Sequence, residues 1–177
     1  MIRTLFTASI IPLLFACASP PIPPGPVPPG PQAAPLAIGI LGLDTSHAVA
    51  FSKVFNDPAA PGELAGMRVV AGYPGGTEIP ASKNRVDRFT RQLAEMGIEI
   101  VESIPELLSK VDVVLLESVD GRTHLDQARQ VFEAGKPVFI DKPVAGSLED
   151  VLAIEALARK YGVPWFSSFF KTNSIVS

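Results

Sequence analysis

Short apolar runs alternate with longer amphipathic segments from residue 36 onward. The runs are rich in Val, Ile and Leu and have the length of buried strands; they are residues 36–41, 67–72, 98–100, 111–116, 137–140 and 163–166. The segments between them have helical spacing and cover about residues 48–55, 82–96, 104–108, 123–134 and 148–161. A glycine that ends a helix just before a strand occurs at Gly97, Gly135 and Gly162.

This alternation predicts βαβ units with right-handed crossovers. The expected fold class is therefore α/β, a doubly wound, Rossmann-like parallel sheet with helices on both faces in three α/β/α layers. The last helix, which begins after a Ser147 cap, has an apolar face that we expect to pack on the sheet. That face comprises Leu148, Val151, Leu152, Ile154 and Leu157.

The first apolar run is followed by residues 42–47, GLDTSH, which turn the chain from a strand into a helix. Unpaired backbone N–H groups and the helix dipole allow such a turn to bind an anion. The dinucleotide fingerprint G-x-G-x-x-G keeps its first glycine, Gly42, but has Asp44 and His47 at the other two positions. A carboxylate about 4 Å from a phosphate charge costs about 4 kcal/mol at an effective dielectric near 20. Because Asp44 is also a candidate helix cap, the turn is either a nucleotide site or a plain capped helix start.

Ligands of doubly wound sheets lie beyond the carboxyl ends of the strands, so the residues that follow each run are the site candidates. After the second run, the position that usually carries an acid for the ribose hydroxyls is Tyr73. Arg85 and Arg88 follow it and suit either a 2′-phosphate or a solvated helix face. After the fourth run comes a polar turn, residues 117–124, which contains His124 and is suited to line a ligand cleft.

The fifth run ends in Asp141-Lys142-Pro143. Pro143 biases the backbone of Lys142 away from helical geometry, which restricts the direction of its side chain. An ammonium group at this edge of a sheet can hydrogen-bond a substrate hydroxyl and assist its deprotonation as hydride leaves. The alternative interpretation is an ordinary surface lysine.

With 177 residues, 47% hydrophobic content and a net charge of −3, the chain has material for one domain with a substantial core. The modest net charge does not indicate the strongly basic surface that nucleic-acid-binding proteins carry. A single cysteine excludes an internal disulfide. Asp44, His47 and His124 match no metal-ligand spacing, so no metal site is expected.

The first residues are typical of a targeting signal rather than of a folded domain. Arg3 is a short positive region, residues 5–16 are apolar but too short to span a bilayer, and residues 14–17, LFAC, resemble a bacterial lipobox. On this hypothesis residues 1–17 are a lipoprotein signal, Cys17 is lipidated, and the protein is exported and membrane-anchored, facing the periplasm or the cell surface. The alternative is an ordinary cleaved secretory signal. Residues 18–35 form a linker, because nine of the sixteen residues 20–35 are proline and favour a semi-rigid polyproline II spacer of roughly 50 Å.

Three sequence features together resemble a known family. They are the IGILG strand and turn at residues 38–42, the polar turn with His124, and GKPVFIDKP at residues 135–143. Together they resemble the N-terminal domain of the glucose-fructose oxidoreductase / inositol dehydrogenase / MocA (Gfo/Idh/MocA) family, over about residues 36–170. Members of that family carry Glu-Lys-Pro where this chain has Asp141-Lys142-Pro143.

The resemblance implies that residues 36–177 are a Rossmann-like domain for NAD or NADP. It also implies a sugar- or polyol-like substrate and a catalytic Lys142 near the nicotinamide and the substrate hydroxyl. The cofactor-binding candidates are Gly42, Leu43, Asp44, Ser46, His47, Tyr73, Ser118, His124, Asp141 and Lys142. The family's second domain, which supplies substrate contacts and a catalytic His or Asp, is expected to be missing, which would leave a truncated enzyme that is incomplete for catalysis. The alternative is a non-catalytic exported lipoprotein that uses a degenerate Rossmann fold as a binding or scaffold module, and the oligomeric state is left open.

Overall fold

The computed structural model describes residues 34–75 and 77–168. The predicted signal segment, Cys17 and most of the proline-rich linker lie outside the described residues. Within the described ranges, no helix is long and apolar enough to cross a membrane. The described residues belong to one compact unit.

The described residues form one sheet whose six strands match the six predicted apolar runs. They are β1 Leu36–Leu41, β2 Met67–Tyr73, β3 Glu99–Ile100, β4 Val113–Leu116, β5 Val138–Ile140 and β6 Trp165–Ser167. Every neighbouring pair is parallel, and the order across the sheet is β3-β2-β1-β4-β5-β6. The prediction of a doubly wound parallel sheet is confirmed.

Five α-helices connect the strands. They are α1 Ser46–Phe55, α2 Pro80–Glu95, α3 Ile104–Lys110, α4 His124–Glu133 and α5 Leu148–Tyr161. Gly97, Gly135 and Gly162 all have positive φ after α2, α4 and α5, as their role in ending helices requires. The second helix starts two residues earlier than predicted, because the fixed φ of Pro80 suits the first helical position.

The fourth strand is two residues shorter than the apolar run that predicts it. The amide of Asp112 donates to the Ala37 carbonyl at 2.7 Å, and the Ala37 amide donates back to Asp112 Oδ2 at 2.9 Å. The Asp112 side chain therefore accepts the hydrogen bond that a backbone carbonyl would accept in a regular sheet. Regular backbone pairing between β1 and β4 begins only at Val113.

Two apolar layers cover the two faces of the sheet, as the three-layer prediction requires. One layer joins α1 and α2 to the sheet and consists of Ile38, Ile40, Leu43, Ala48, Val49, Val69, Phe89, Leu93, Ile98, Leu115 and Phe139. The other layer joins α3, α4 and α5 to the opposite face and includes Leu107, Val114, Val131, Phe132, Val138, Ile140 and Ile154. Most side chains of the central strands β1, β4 and β5 are buried on both faces, which explains why their sequences are continuous apolar runs rather than alternating ones. In the edge strand β6, by contrast, Phe166 is 65% exposed.

The apolar face predicted for α5 is partly wrong. Ile154 and Ala158 are buried, but Leu148 is 75% exposed and Leu152 is 62% exposed. The buried stripe continues from Ile154 toward Val151, and Leu152 lies one residue, or about 100°, away from it on the helix. Val151, Ile154 and Leu157 of the predicted face are therefore at least half-buried, whereas Leu148 and Leu152 are exposed.

Candidate functional site

The sheet order creates a crevice at one edge of the domain. From β1 the chain continues to β2 on one side, and from β4 it continues to β5 on the other, so the connections leave β1 and β4 in opposite directions. In doubly wound sheets, ligands bind beyond the carboxyl ends of the strands at this switch point. The residues that follow β1, β4 and β5 therefore lie at the candidate site.

The turn after β1 packs directly on the turn after β4. Gly42 has a φ of +97°, and a Cβ atom built on it would lie 2.4 Å from the backbone nitrogen of Ser118. The Gly42 amide donates to the Tyr73 carbonyl at 3.0 Å, and the Leu43 amide donates to the Pro74 carbonyl at 2.9 Å. Only glycine fits at position 42, because both its conformation and the space around it exclude a side chain. Leu43 belongs to the core, where it is fully buried.

Asp44 does not cap α1, contrary to one of the two readings of the turn. Thr45 is the cap, since its Oγ1 accepts a hydrogen bond from the His47 amide at 3.2 Å. The Asp44 carboxylate turns inward, is 2% exposed, and accepts a hydrogen bond from the Val119 amide at 3.1 Å. Burial raises the pKa of Asp44, although the Val119 hydrogen bond opposes this effect. Its charge therefore does not face the exposed start of the helix.

His47 reaches across the crevice from the first turn of α1. Its Nδ1 atom lies 2.5 Å from Asp141 Oδ2, in the segment after β5, and 3.9 Å from Glu117 Oε2, directly after β4. The His47 side chain is 41% exposed. One imidazole therefore meets two carboxyl groups that come from separate strand ends.

Glu117 is an acidic side chain that is buried without a good hydrogen-bond partner among the described residues. It is 1% exposed, and neither carboxyl oxygen has a hydrogen-bond partner with good geometry among the described residues. Burial raises the pKa of Glu117 to about 8, and the neighbouring Asp141 carboxylate adds to the rise while the Lys142 ammonium opposes it. For Asp141, burial acts in the same direction, but the Lys142 amide and His47 hold its pKa below the usual value. In the absence of a bound cation, Glu117 is therefore protonated near neutral pH and Asp141 is ionised.

Lys142 follows β5 at the same edge of the sheet, where the sequence places it. Its Nζ atom lies 3.4 Å from Asp141 Oδ1, its side chain is 48% exposed, and the Lys142-Pro143 peptide bond is cis. Ser168 Oγ also donates to Asp141 Oδ1 at 3.4 Å. The ammonium group is thus held by a carboxylate and still faces solvent.

A cleft of about 490 Å³ opens beside these side chains. It is lined by His47, Ala50, Phe51, Phe139, Asp141, Lys142 and Ser168. Aromatic rings form its base, since Phe51 and Phe139 pack edge to face with centroids 5.9 Å apart. An apolar floor with a few convergent polar groups is typical of a small-molecule site.

Several candidates from the sequence do not line this cleft. His124 is fully buried, and its ring nitrogens lie 3.0 Å from the Val144 carbonyl and 2.7 Å from the Ser118 carbonyl. It therefore ties two loops together, and a role in touching a ligand does not fit its position. Tyr73 is half-buried at the end of β2, and Ser46 is exposed at the start of α1.

The sequence pattern does not distinguish Glu117 from the other polar residues of the turn that it begins. The available signal is an acid placed immediately after four apolar strand residues, three of which are buried, in the strand that neighbours β1. Within the described ranges, His47, Glu117 and Asp141 are of residue types that can ligate a metal, and their ligand atoms lie within 4.8 Å of one another. His124, part of the grouping weighed from sequence, is held elsewhere by backbone carbonyls.

Comparisons with known proteins agree with this fold. A family model described as an oxidoreductase family with an NAD-binding Rossmann fold (GFO_IDH_MocA) matches residues 79–169. A search of curated proteins finds no match.

Several solved structures share the fold. GenD2 from gentamicin A biosynthesis, solved with NAD, is 22% identical, with 81% of this chain and 37% of that chain covered and a TM-score of 0.59. Biliverdin reductase from a Synechocystis species, solved with biliverdin and NADP⁺, is 20% identical, with coverages of 76% and 38% and a TM-score of 0.58. The WlbA dehydrogenase from Bordetella pertussis, solved with NADH and UDP-GlcNAcA, is 18% identical, with coverages of 76% and 37% and a TM-score of 0.58. This chain spans little more than a third of the length of these relatives.

Proposed function

This chain belongs to the Gfo/Idh/MocA oxidoreductase family, whose model carries an NAD-binding Rossmann fold, and we propose that residues 36–177 are the cofactor domain of an NAD(P)-dependent oxidoreductase for sugar- or polyol-like substrates. The observation that carries the proposal is the position of Lys142. Its ammonium group lies at the carboxyl edge of the sheet, beside the cleft and next to the switch point.

The residues at the switch point fit a dinucleotide. The sequence raised one objection, a carboxylate at the second fingerprint position, but the Asp44 carboxylate is 2% exposed and bonded to the Val119 amide. A phosphate at the exposed start of α1, near Ser46, therefore does not meet that charge. A bound nicotinamide cofactor would supply the hydride acceptor or donor.

The chain's own residues would act on the substrate from the cleft. Lys142 Nζ can donate a hydrogen bond to a substrate hydroxyl and stabilise the negative charge that develops on its oxygen, while a base from the second domain accepts the hydroxyl proton. Asp141 Oδ1 orients this ammonium group at 3.4 Å. A sugar-like substrate is favoured because WlbA, a relative by fold, is solved with a nucleotide sugar. We propose that this domain binds the cofactor, and that turnover needs substrate contacts from a second domain.

A scaffold role is the second candidate, and one observation favours it. The Gly42 and Leu43 amides, which lie in the turn that would face a pyrophosphate, already donate to the Tyr73 and Pro74 carbonyls. Because these two amides are already paired, fewer donors remain for a phosphate, which favours binding of another kind.

A negative charge introduced at the start of α1 tests the cofactor proposal. We expect calorimetric titration of the full-length protein with NADH to show binding, and Ser46→Glu to weaken it about tenfold through repulsion of the phosphates. The variant is not expected to unfold the domain, because an acid in the first turn of a helix is favourable. Ser109→Glu, an equally exposed change near the end of α3, should leave NADH binding unchanged. The proposal fails if millimolar NADH or NADPH produces no heat, and that outcome would favour the scaffold role.

We also propose that the protein is exported and anchored to a membrane through Cys17. The support is the lipobox-like LFAC at residues 14–17, followed by the proline-rich spacer. In a bacterial host, radiolabelled fatty acid should enter the wild-type protein and be lost in Cys17→Ala. Labelling that survives this substitution would remove the hypothesis.

A further inference from the structure

We propose that His47, Glu117 and Asp141 form a binding site for one divalent transition-metal cation. A ligand atom from each residue lies within 4.8 Å of the other two. The site shares His47 and Asp141 with the proposed cofactor edge, but its three side chains would bind the cation without a nucleotide, so the two proposals can be tested separately.

The distances are close to those of a coordinated ion. His47 Nδ1 is 2.5 Å from Asp141 Oδ2 and 3.9 Å from Glu117 Oε2. Ligands at about 2.0–2.1 Å from a tetrahedral zinc ion lie about 3.3 Å apart. The 2.5 Å distance is shorter than this spacing, the 3.9 Å distance is longer, and all three ligand atoms lie within 4.8 Å of one another. Changes of up to about 1.5 Å in these distances would therefore bring the three atoms into coordination geometry.

Glu117 is an independent indication of a ligand. It is 1% exposed, and neither of its oxygens has a hydrogen-bond partner of good geometry among the described residues. Without a cation, the group that can share its proton is the neighbouring Asp141 carboxylate. Buried polar groups are nearly always paired, because leaving one unpaired is energetically unfavourable. A cation between Glu117, Asp141 and His47 would provide the missing partner.

Hydrogen bonds from neighbouring side chains orient the Asp141 carboxylate. Lys142 Nζ and Ser168 Oγ both donate to Asp141 Oδ1, which leaves Oδ2 directed at His47. Hydrogen bonds of this kind to a ligating carboxylate are typical of metal sites. Lys142 also brings one positive charge close to the site, which lowers the affinity for a cation, but two carboxylates outweigh it.

The donor set indicates the class of metal. One imidazole nitrogen with two carboxylate oxygens suits Zn²⁺, Mn²⁺ or Fe²⁺, whereas an all-oxygen shell would suit Mg²⁺ or Ca²⁺. Three protein ligands leave at least one coordination position open. Because His47 and Asp141 line the cleft, a bound cation would be reached from it.

Metal titration without any nucleotide tests the inference. Full-length protein without a histidine tag is stripped with a chelator, dialysed, and titrated with Zn²⁺ and Mn²⁺ by calorimetry and with Co²⁺ by visible absorption. We expect one equivalent of at least one of these cations to bind with a micromolar or lower Kd. His47→Ala should abolish the Co²⁺ absorption bands, and Glu117→Gln should weaken binding at least tenfold.

Glu95→Gln is the matched control, since Glu95 is an exposed carboxylate on α2. This variant should bind the cation within twofold of the wild-type affinity. The inference is overturned if the wild-type protein binds none of the three cations, since Glu117 would then remain a protonated acid beside Asp141. It is equally overturned if Glu117→Gln and Glu95→Gln have the same affinity, because the binding would then lie elsewhere. Failure of NADH to bind would not affect either outcome.

Discussion

Gly42→Ala is expected to lower the free energy of unfolding by about 3–5 kcal/mol, the sum of a strained backbone and a steric clash. The φ of +97° at this position is unfavourable for any residue with a side chain. In addition, the new Cβ would lie 2.4 Å from the backbone nitrogen and from Oγ of Ser118, and 2.6 Å from its Cα. Backbone atoms cannot move aside as the end of a flexible side chain can, so the turns after β1 and β4 would have to separate. Denaturant unfolding of the full-length protein, followed by circular dichroism, measures the loss.

Gly97→Ala separates the cost of the backbone conformation from the cost of the steric clash. Gly97 also has a positive φ, +78°, but a Cβ built on it meets nothing within 4 Å. This control should therefore cost only the conformational penalty, about 1–2 kcal/mol. Equal losses in the two variants would show that the turns after β1 and β4 are not in contact, and the described crevice would be wrong.

The stability of the metal-free protein is expected to fall as the pH rises from about 5.5 to about 8, because of Glu117. The pKa of this carboxyl group is about 8 in the folded protein and 4.5 when unperturbed. Between these values the folded state keeps a proton that the unfolded state releases, so rising pH favours unfolding until the pH passes about 8. One pH unit in this window is worth up to about 1.4 kcal/mol, and the whole loss amounts to a few kcal/mol. The experiment measures unfolding by denaturant at several pH values with a chelator present.

Glu117→Gln should abolish most of this slope, since an amide cannot release the proton, and the variant should exceed the wild-type stability at pH 8. Glu95→Gln should keep the wild-type slope. The carboxyl groups with lowered pKa values, Asp120, Asp141 and Glu155, contribute stability that is lost only at acidic pH, below this window. A wild-type slope that persists in Glu117→Gln would contradict the burial and isolation of this side chain.

The layers of this fold could be predicted from the sequence because they follow from local rules. Continuous apolar runs indicate strands that are buried on both faces, and glycines at positions 97, 135 and 162 end helices where a left-handed residue is needed. The carboxyl-edge position of Lys142 follows from the same pattern, because it comes directly after a strand of a parallel sheet.

The candidate site could be predicted only in part, because its chemistry depends on strand order. His47, Glu117 and Asp141 are far apart in the sequence and meet only because β1, β4 and β5 are neighbours in the sheet. Asp44 shows a second limit of predicting this site from the sequence. Local capping rules suit both Asp44 and Thr45, and the choice was decided by the Val119 amide, a partner 75 residues away.

The central claim is that the carboxyl edge formed after β1, β4 and β5 is the site that binds a nicotinamide cofactor. Hydrogen–deuterium exchange of the full-length protein, with and without NADH, tests it most directly because it locates the ligand. The account predicts slower exchange in peptides covering residues 42–48, 117–124 and 141–144, with no change at the opposite edge, residues 104–111 and 133–137. Protection confined to that opposite edge, or no protection at saturating NADH, would contradict it.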